Sequence, residues 1–154
     1  MRSFQESLPM ALLQAREAAM RLFRPMLGRF DLTEQQWRVL RALSASDHAV
    51  EVGPLADATS LLPPSLSRIL TNLEERALIT RKVADHDQRR SMIALSRSGA
   101  ALVRQVAPTS EATYNRIEAE FGTERLALLL AELHELAGLD LAAEHEAAER
   151  EEVS

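Results

Sequence analysis

The chain has 154 residues, 46% of them hydrophobic but only 4% aromatic, so a sizeable core can form and must be built mainly from Leu, Ala, Val and Ile. It has no cysteine, which excludes disulfides, thiol redox sensing and cysteine-ligated metal. No apolar run is long enough to span a bilayer and no secretory pattern opens the sequence, so a cytoplasmic protein with no membrane contact is expected. The net charge of −5 is unevenly spread: residues 1–62 balance at seven basic and seven acidic, residues 63–104 carry eight basic against four acidic, and residues 105–154 carry three basic against twelve acidic.

Leu8, Leu12, Ala15, Ala19, Leu22 and Met26 recur at three- and four-residue spacing, which predicts a helix from residue 4 to about 30 that Pro25 kinks or breaks. Thr33 followed by Gln36 reads as a capping box, opening a helix that carries Trp37, Val39, Leu40 and Leu43. His48 to Val52 reads as a turn with a very short strand, and Gly53 to Ser60 as a short helix. Pro63 and Pro64 suit a helix start, because the missing N–H groups have no partner there. In that helix Leu66, Ile69, Leu70 and Leu73 share one side, while Pro64, Ser67, Arg68 and Thr71 share the other. Leu78 to Val83 and Met92 to Leu95 read as two strands, joined by Asp85-His86-Asp87-Gln88-Arg89-Arg90, which is too polar to be packed. Ser96 caps a long helix that Pro108 bends, and Thr123 caps a last one with Leu126, Leu129, Leu130, Leu133 and Leu136, ending at Gly138 or running on. Residues 144–154 form an acidic, frayed tail.

Helix, charged hairpin, helix is the layout of a winged helix-turn-helix DNA reader. The local balance of +4 over residues 63–104 matters more than the net charge, since attraction to phosphate acts within a Debye length; the acidic end is expected to face away from a duplex. Asp87-x-Arg89, Leu95-Ser96 and Gly99, with Ser65-x-Ser67-Arg68 before them, resemble the MarR family of bacterial winged-helix regulators. The resemblance runs from about Leu8 to Leu136. Ala77 stands where a helix-ending Gly is usual in the family, and Ser96 where Thr is usual. Ala11 to Ala19, Phe23-Arg24-Pro25 and Leu32 to Arg38 resemble the branch that represses homoprotocatechuate degradation genes.

The resemblance implies a mainly α fold with a small β-hairpin wing, as one domain over residues 1–154. Residues 33–97 form its DNA-binding part, residues 4–30 and 100–143 its dimerisation helices, and residues 144–154 its acidic tail. It implies a homodimer on a pseudo-palindromic operator, and the apolar stripes at both ends of the chain agree, because an uncovered stripe seeks a partner. Ser65, Ser67 and Arg68 are the candidates for the major groove, where Arg bridging guanine O6 and N7 discriminates by about 1–3 kcal/mol. Thr71 reaches a phosphate or a thymine methyl. Arg89 or Arg90 enters the minor groove, whose narrow A·T form concentrates negative potential, and Asp87 orients an arginine. The bland alternative is a solvated charged hairpin.

The branch resemblance also implies a small aromatic carboxylate or phenol as effector. Arg16, on an apolar helical face, either anchors the ligand carboxylate, pairs with a glutamate such as Glu17 or one on the last helix, or snorkels to water. Trp37 either stacks on the ligand ring or is a core residue. No cofactor is expected, and His48 and His86 lack metal-ligand spacing. No catalytic signature is present, so no enzyme is expected. Two rival readings stand beside the repressor: a ligand-free constitutive or architectural DNA binder, and a winged-helix module that docks an acidic protein.

Overall fold

A computed structural model of the chain describes residues 3–84 and 87–139. A 3-10 turn at Phe4–Glu6 precedes α1 (Leu8–Gly28), α2 (Glu34–Ser44), β1 (Val50–Glu51), α3 (Val52–Thr59), α4 (Pro63–Glu75), β2 (Ile79–Ala84), β3 (Asp87–Leu95), α5 (Arg97–Phe121) and α6 (Thr123–Ala137). The chain forms two compact units, the first ending at Thr113 and the second beginning at Tyr114, so α5 passes from one into the other.

The first unit holds the core. Phe23, Met26 and Leu27 from the end of α1 are buried, as are Trp37, Val39, Leu40 and Leu43 of α2, Leu55 of α3, Leu66, Leu70 and Leu73 of α4, and Ile79 and Ile93 of the sheet. In α4 these are the positions that helical spacing assigns to one face, while in α1 only Met26 of the predicted stripe is buried, beside Phe23 and Leu27. Burying each large apolar side chain is worth about 1.5–3 kcal/mol. The N-terminal half of α1 behaves differently: Leu8, Leu12 and Leu13 stay exposed. The sheet is antiparallel in the order β1-β3-β2, with Val50 opposite Ile93 and Ile79 opposite Leu95.

Helix ends are set by local chemistry. The Thr33 hydroxyl accepts from the Gln36 N–H at 3.1 Å and the Gln36 side chain accepts from the Thr33 N–H at 2.8 Å, which is the expected capping box. The Ser96 hydroxyl likewise accepts from the Gly99 N–H at 2.9 Å, capping α5. Asp31, Ser60 and Ala77 lie at φ of 54°, 49° and 54° just beyond α1, α3 and α4. Each takes part in a pair of helix-closing bonds; after α4 these run from the Ala77 N–H back three residues to the Glu74 carbonyl and from the Leu78 N–H back five residues to the Leu73 carbonyl.

Left-handed backbone costs a side-chain-bearing residue about 1–2 kcal/mol, while added glycine freedom in the unfolded chain costs about 0.4–1 kcal/mol. Ala77→Gly is therefore expected to stabilise the protein by about 0.5–1 kcal/mol, read as a higher urea midpoint at unchanged slope. A lower midpoint would show that the Ala77 methyl group makes a contact worth more than the strain.

Several sequence expectations need correction. Pro25 does not break α1, which continues to Gly28, whereas α5 continues past Pro108 to Phe121 as its sequence predicts. One missing N–H removes one bond, which the rest of each helix outweighs. Gly122, at φ 97°, is the N-cap of α6, and Thr123 is the first residue inside that helix, with no side-chain cap bond. The largest difference is β3, which begins at Asp87 rather than Met92. Ladder pairing uses backbone groups alone, so polar side chains do not prevent it. Val83 faces Ser91 while Ala84 faces Asp87, and Gln88, Arg89 and Arg90 fall within that irregularity. The proposed acidic tail at 144–154 lies outside the described residues.

Candidate nucleic-acid interface

α3 and α4 are joined by a sharp turn. Ser60 adopts the left-handed conformation and the Leu61 N–H bonds back to the Ala56 carbonyl at 3.1 Å. The buried Thr59 hydroxyl donates to the Leu55 carbonyl at 2.6 Å, closing the end of α3. α4 is held from below by Leu66, Leu70 and Leu73, all 0% exposed. From the side, the Gln36 side-chain amide donates to the Asn72 oxygen at 2.7 Å, linking α2 to α4. Arg38 of α2 donates to the Thr59 carbonyl at 2.9 Å, tying α2 to α3. Arg76 reaches Asp31 at 3.4 Å.

With its apolar face committed, α4 turns Pro64, Ser67, Arg68 and Thr71 outward, and Ser65 is half-buried at its first turn. This is the division that the sequence spacing predicted. The Thr71 hydroxyl donates to the Ser67 carbonyl at 3.1 Å, which leaves its lone pairs facing outward as acceptors. A backbone anchored at this density holds those side chains on a rigid rod, which direct base readout requires.

The hairpin follows α4 directly. Arg81 lies on β2 opposite Ile93 and Lys82 opposite Met92, and Lys82 is exposed. Asp87, Arg89 and Arg90 have their backbone in β3; their side chains lie outside the described residues, as do Asp85 and His86. The base of the hairpin is locked to α5. The Ser96 hydroxyl donates to the Ala77 carbonyl at 2.6 Å and the Ser96 N–H to the Leu78 carbonyl at 3.1 Å. Gly99 packs so closely that a β-carbon there would lie 1.9 Å from the Leu78 oxygen.

The residues considered for an effector are placed quite differently. Arg16 pairs with Glu17 at 2.7 Å and also with Glu34. Arg24 joins the same two carboxylates, at 2.8 Å from Glu17 and 3.0 Å from Glu34, and Arg38 reaches Glu34 at 3.6 Å. The ion pair with Glu17 weighed for Arg16 is present; its second partner Glu34, and the sharing of these carboxylates with Arg24 and Arg38, were not foreseen. Their only sequence signal is Glu34 in the first turn of α2, where the helix dipole favours a carboxylate. The Arg24 guanidinium bonded to Glu17 holds that carboxyl below the usual carboxylate range, so the bond persists as pH falls through that range and is lost only below it. Such exposed pairs contribute little stability singly, but this network connects α1 to the start of α2.

Trp37 is 7% exposed and packed in the core. Neither it nor Arg16 is among the residues lining a 510 Å3 cleft formed by the end of α2, Ser46 to Ala49, the end of β3 and the first turns of α5. Among the described residues no group of three or more His, Asp or Glu side chains could hold a metal ion, and no helix is long and apolar enough to cross a membrane.

A short helix, a sharp turn, a rigid helix with a polar outer face and an antiparallel hairpin together define a winged helix-turn-helix protein. A family model described as the MarR family matches residues 30–90. The homoprotocatechuate degradative operon repressor of Escherichia coli is 42% identical over 134 residues, covering 87% of this chain and 90% of the relative. The chain belongs to the MarR family, and the resemblance to the homoprotocatechuate branch is borne out. A crystal structure of NadR in complex with 4-hydroxyphenylacetate is similar at 36% identity and a TM-score of 0.78, covering 91% of this chain and 99% of that one. The transcriptional repressor CouR bound to a 23-mer DNA duplex is similar at 25% identity and a TM-score of 0.78, covering 86% and 94%.

Proposed function

We propose that this protein is a homodimeric transcriptional repressor of aromatic-degradation genes, working in the cytoplasm, released from its operator by a small aromatic carboxylic acid or phenol. The observation that carries the DNA reading is the outer face of α4. Ser67, Arg68 and Thr71 are exposed on a helix whose other face buries Leu66, Leu70 and Leu73 completely. Ser65, Ser67 and Arg68 read base edges in the major groove, Thr71 meets a thymine methyl with its own methyl group or a phosphate once its hydroxyl proton turns away from the Ser67 carbonyl, and Arg89 or Arg90, oriented by Asp87, occupies the minor groove. Residues 33–97 are the DNA-reading part.

Dimerisation accounts for what the single chain leaves uncovered. Leu8, Leu12 and Leu13 on α1 and, in the second unit, Leu128, Leu129 and Leu130 on α6 are exposed. A second copy of the chain removes such surface from water and sets two copies of α4 about one DNA turn apart. The operator is accordingly an imperfect palindrome. Similarity to CouR in its DNA complex, and to the Escherichia coli repressor, supports this assignment.

The effector reading rests on similarity to NadR, seen with 4-hydroxyphenylacetate, and on the chemistry at Arg16. A ligand carboxylate replaces a glutamate on Arg16. Displacing Glu34 loosens the link between α1 and α2, and a coupling of about 1–3 kcal/mol lowers operator affinity 5- to 150-fold. Calorimetry with a panel of hydroxylated phenylacetates and benzoates, alongside gel shifts on DNA, is the test. Wild type is expected to bind at least one acid and release DNA, and Arg16→Ala to bind it at least tenfold more weakly. Equal binding by the variant would take Arg16 out of the site; DNA binding indifferent to every acid would favour the ligand-free repressor.

A further inference from the structure

The 510 Å3 cleft at the end of α2 falls within the range of about 300–1,000 Å3 in which proteins hold small ligands, and all of its lining belongs to the first unit. Leu43, Ala94, Ala100 and Val103 give it an apolar floor, which the two alanines leave open. Its outer wall is fixed in place. The Ser46 hydroxyl donates to the His48 carbonyl at 2.9 Å and accepts from the His48 N–H at 3.3 Å. Two residues further on, Val50 pairs with Ile93, the neighbour of Ala94. The cleft also holds opposite charges that do not meet. The side chains of Arg104 and Asp47 make no ion pair or hydrogen bond, with each other or with any other described residue, and the His48 ring makes none. A guanidinium offers paired donors that match a carboxylate, while a carboxylate such as Asp47 only accepts. One molecule satisfies both when it carries a carboxylate, an apolar body and a hydroxyl group that donates.

We infer that this cleft is a second effector site, in which Arg104 binds the carboxylate of a hydroxylated aromatic acid, Asp47 accepts a hydrogen bond from its hydroxyl and the alanine-lined floor holds the ring. The inference rests on the effector reading above for the chemical class of the ligand and on the cleft for its place. The site shares no residue with the Arg16 network. It lies against the end of β3, so its occupancy bears on the hairpin directly and not through α1.

His48 is a local reporter. Its ring C–H proton NMR signals, assigned by their absence in His48→Gln, are followed while hydroxylated phenylacetates and benzoates are added to the full chain. Wild type and Arg16→Ala are expected to show saturable shifts with at least one acid. Arg104→Gln is expected to need at least about tenfold more of it, the loss of a charge-assisted pair. Wild type should prefer the hydroxylated acid over its unhydroxylated parent by about fivefold or more, and Asp47→Ala should bind the two to within about twofold of each other. Thermal melts of both cleft variants should match wild type, because Arg104 and Asp47 are exposed. His48 signals that no acid moves, or that move equally in Arg104→Gln, would overturn the second site. Calorimetric binding alongside unmoved His48 signals overturns the second site alone, whereas silence in both measurements removes the effector reading with it.

Discussion

Replacing Gly99 with alanine is expected to destabilise the protein by about 3 kcal/mol or more and to lower Tm by roughly 6–12 °C. The added β-carbon would sit 1.9 Å from the Leu78 carbonyl oxygen and 2.9 Å from its carbon, both backbone atoms, so no side-chain rotation relieves the clash. Nor can Leu78 withdraw cheaply. Its carbonyl accepts the Ser96 N–H and its own N–H closes the end of α4, so movement breaks both bonds and pulls the buried Leu78 and Ile79 side chains from the core. Differential scanning calorimetry measures the effect. A Tm within 2 °C of wild type, on about the scale of a routine surface change, would show that α5 can slide away from the hairpin and that this junction is looser than its geometry implies. Because the same junction sets the hairpin relative to α4, DNA affinity should fall before unfolding is complete.

Arg68→Ala is expected to erase most base discrimination at one position of each half-site, about 1–3 kcal/mol or 5- to 150-fold per site. Binding to scrambled DNA should change little. Arg68 is exposed on α4 and its replacement creates no cavity, so stability should be unaltered. Arg89→Ala is the informative contrast: a minor-groove or phosphate cation lost from the wing should weaken binding to all sequences and flatten the salt dependence by about one charge. Gel-shift titrations on selected and scrambled duplexes at several salt concentrations separate the two. Equal losses on both duplexes for Arg68→Ala would make it a phosphate contact, and unchanged affinity in both variants would defeat the assignment of this face.

Local chemistry acting within about four residues was legible except at Thr123, which lies inside α6 behind the Gly122 cap. The Thr33–Gln36 box, the Ser96 cap, the proline start of α4 and the apolar spacing of Leu66, Leu70 and Leu73 each lie in a single helical turn or a few, and all are present. The polar outer face of α4 followed from the same spacing. Wherever the outcome depended on sums or on distant partners, the reading was less complete. Pro25 removes a bond, but helix continuation to Gly28 is decided by the whole helix and its packing. The polar segment at Gln88 to Arg90 joins β3 because pairing is a backbone property with no signature in side-chain hydropathy. Ala77 was flagged as a departure from a usual glycine, and the structure shows it at φ 54° all the same, because the two bonds closing α4 hold it there.

By itself the sequence determined the helical periodicity, the caps, the basic stretch around α4 and the hairpin, and the family to which these belong. All are consequences of side-chain order along the chain. Only the tertiary structure decided that Arg16 and Arg24 of α1 would share Glu34 of α2, that Trp37 would be buried, and that Gly99 would lie against the Leu78 carbonyl. Those contacts join residues 10 to 21 positions apart, and their existence depends on how helices pack, which no local pattern encodes.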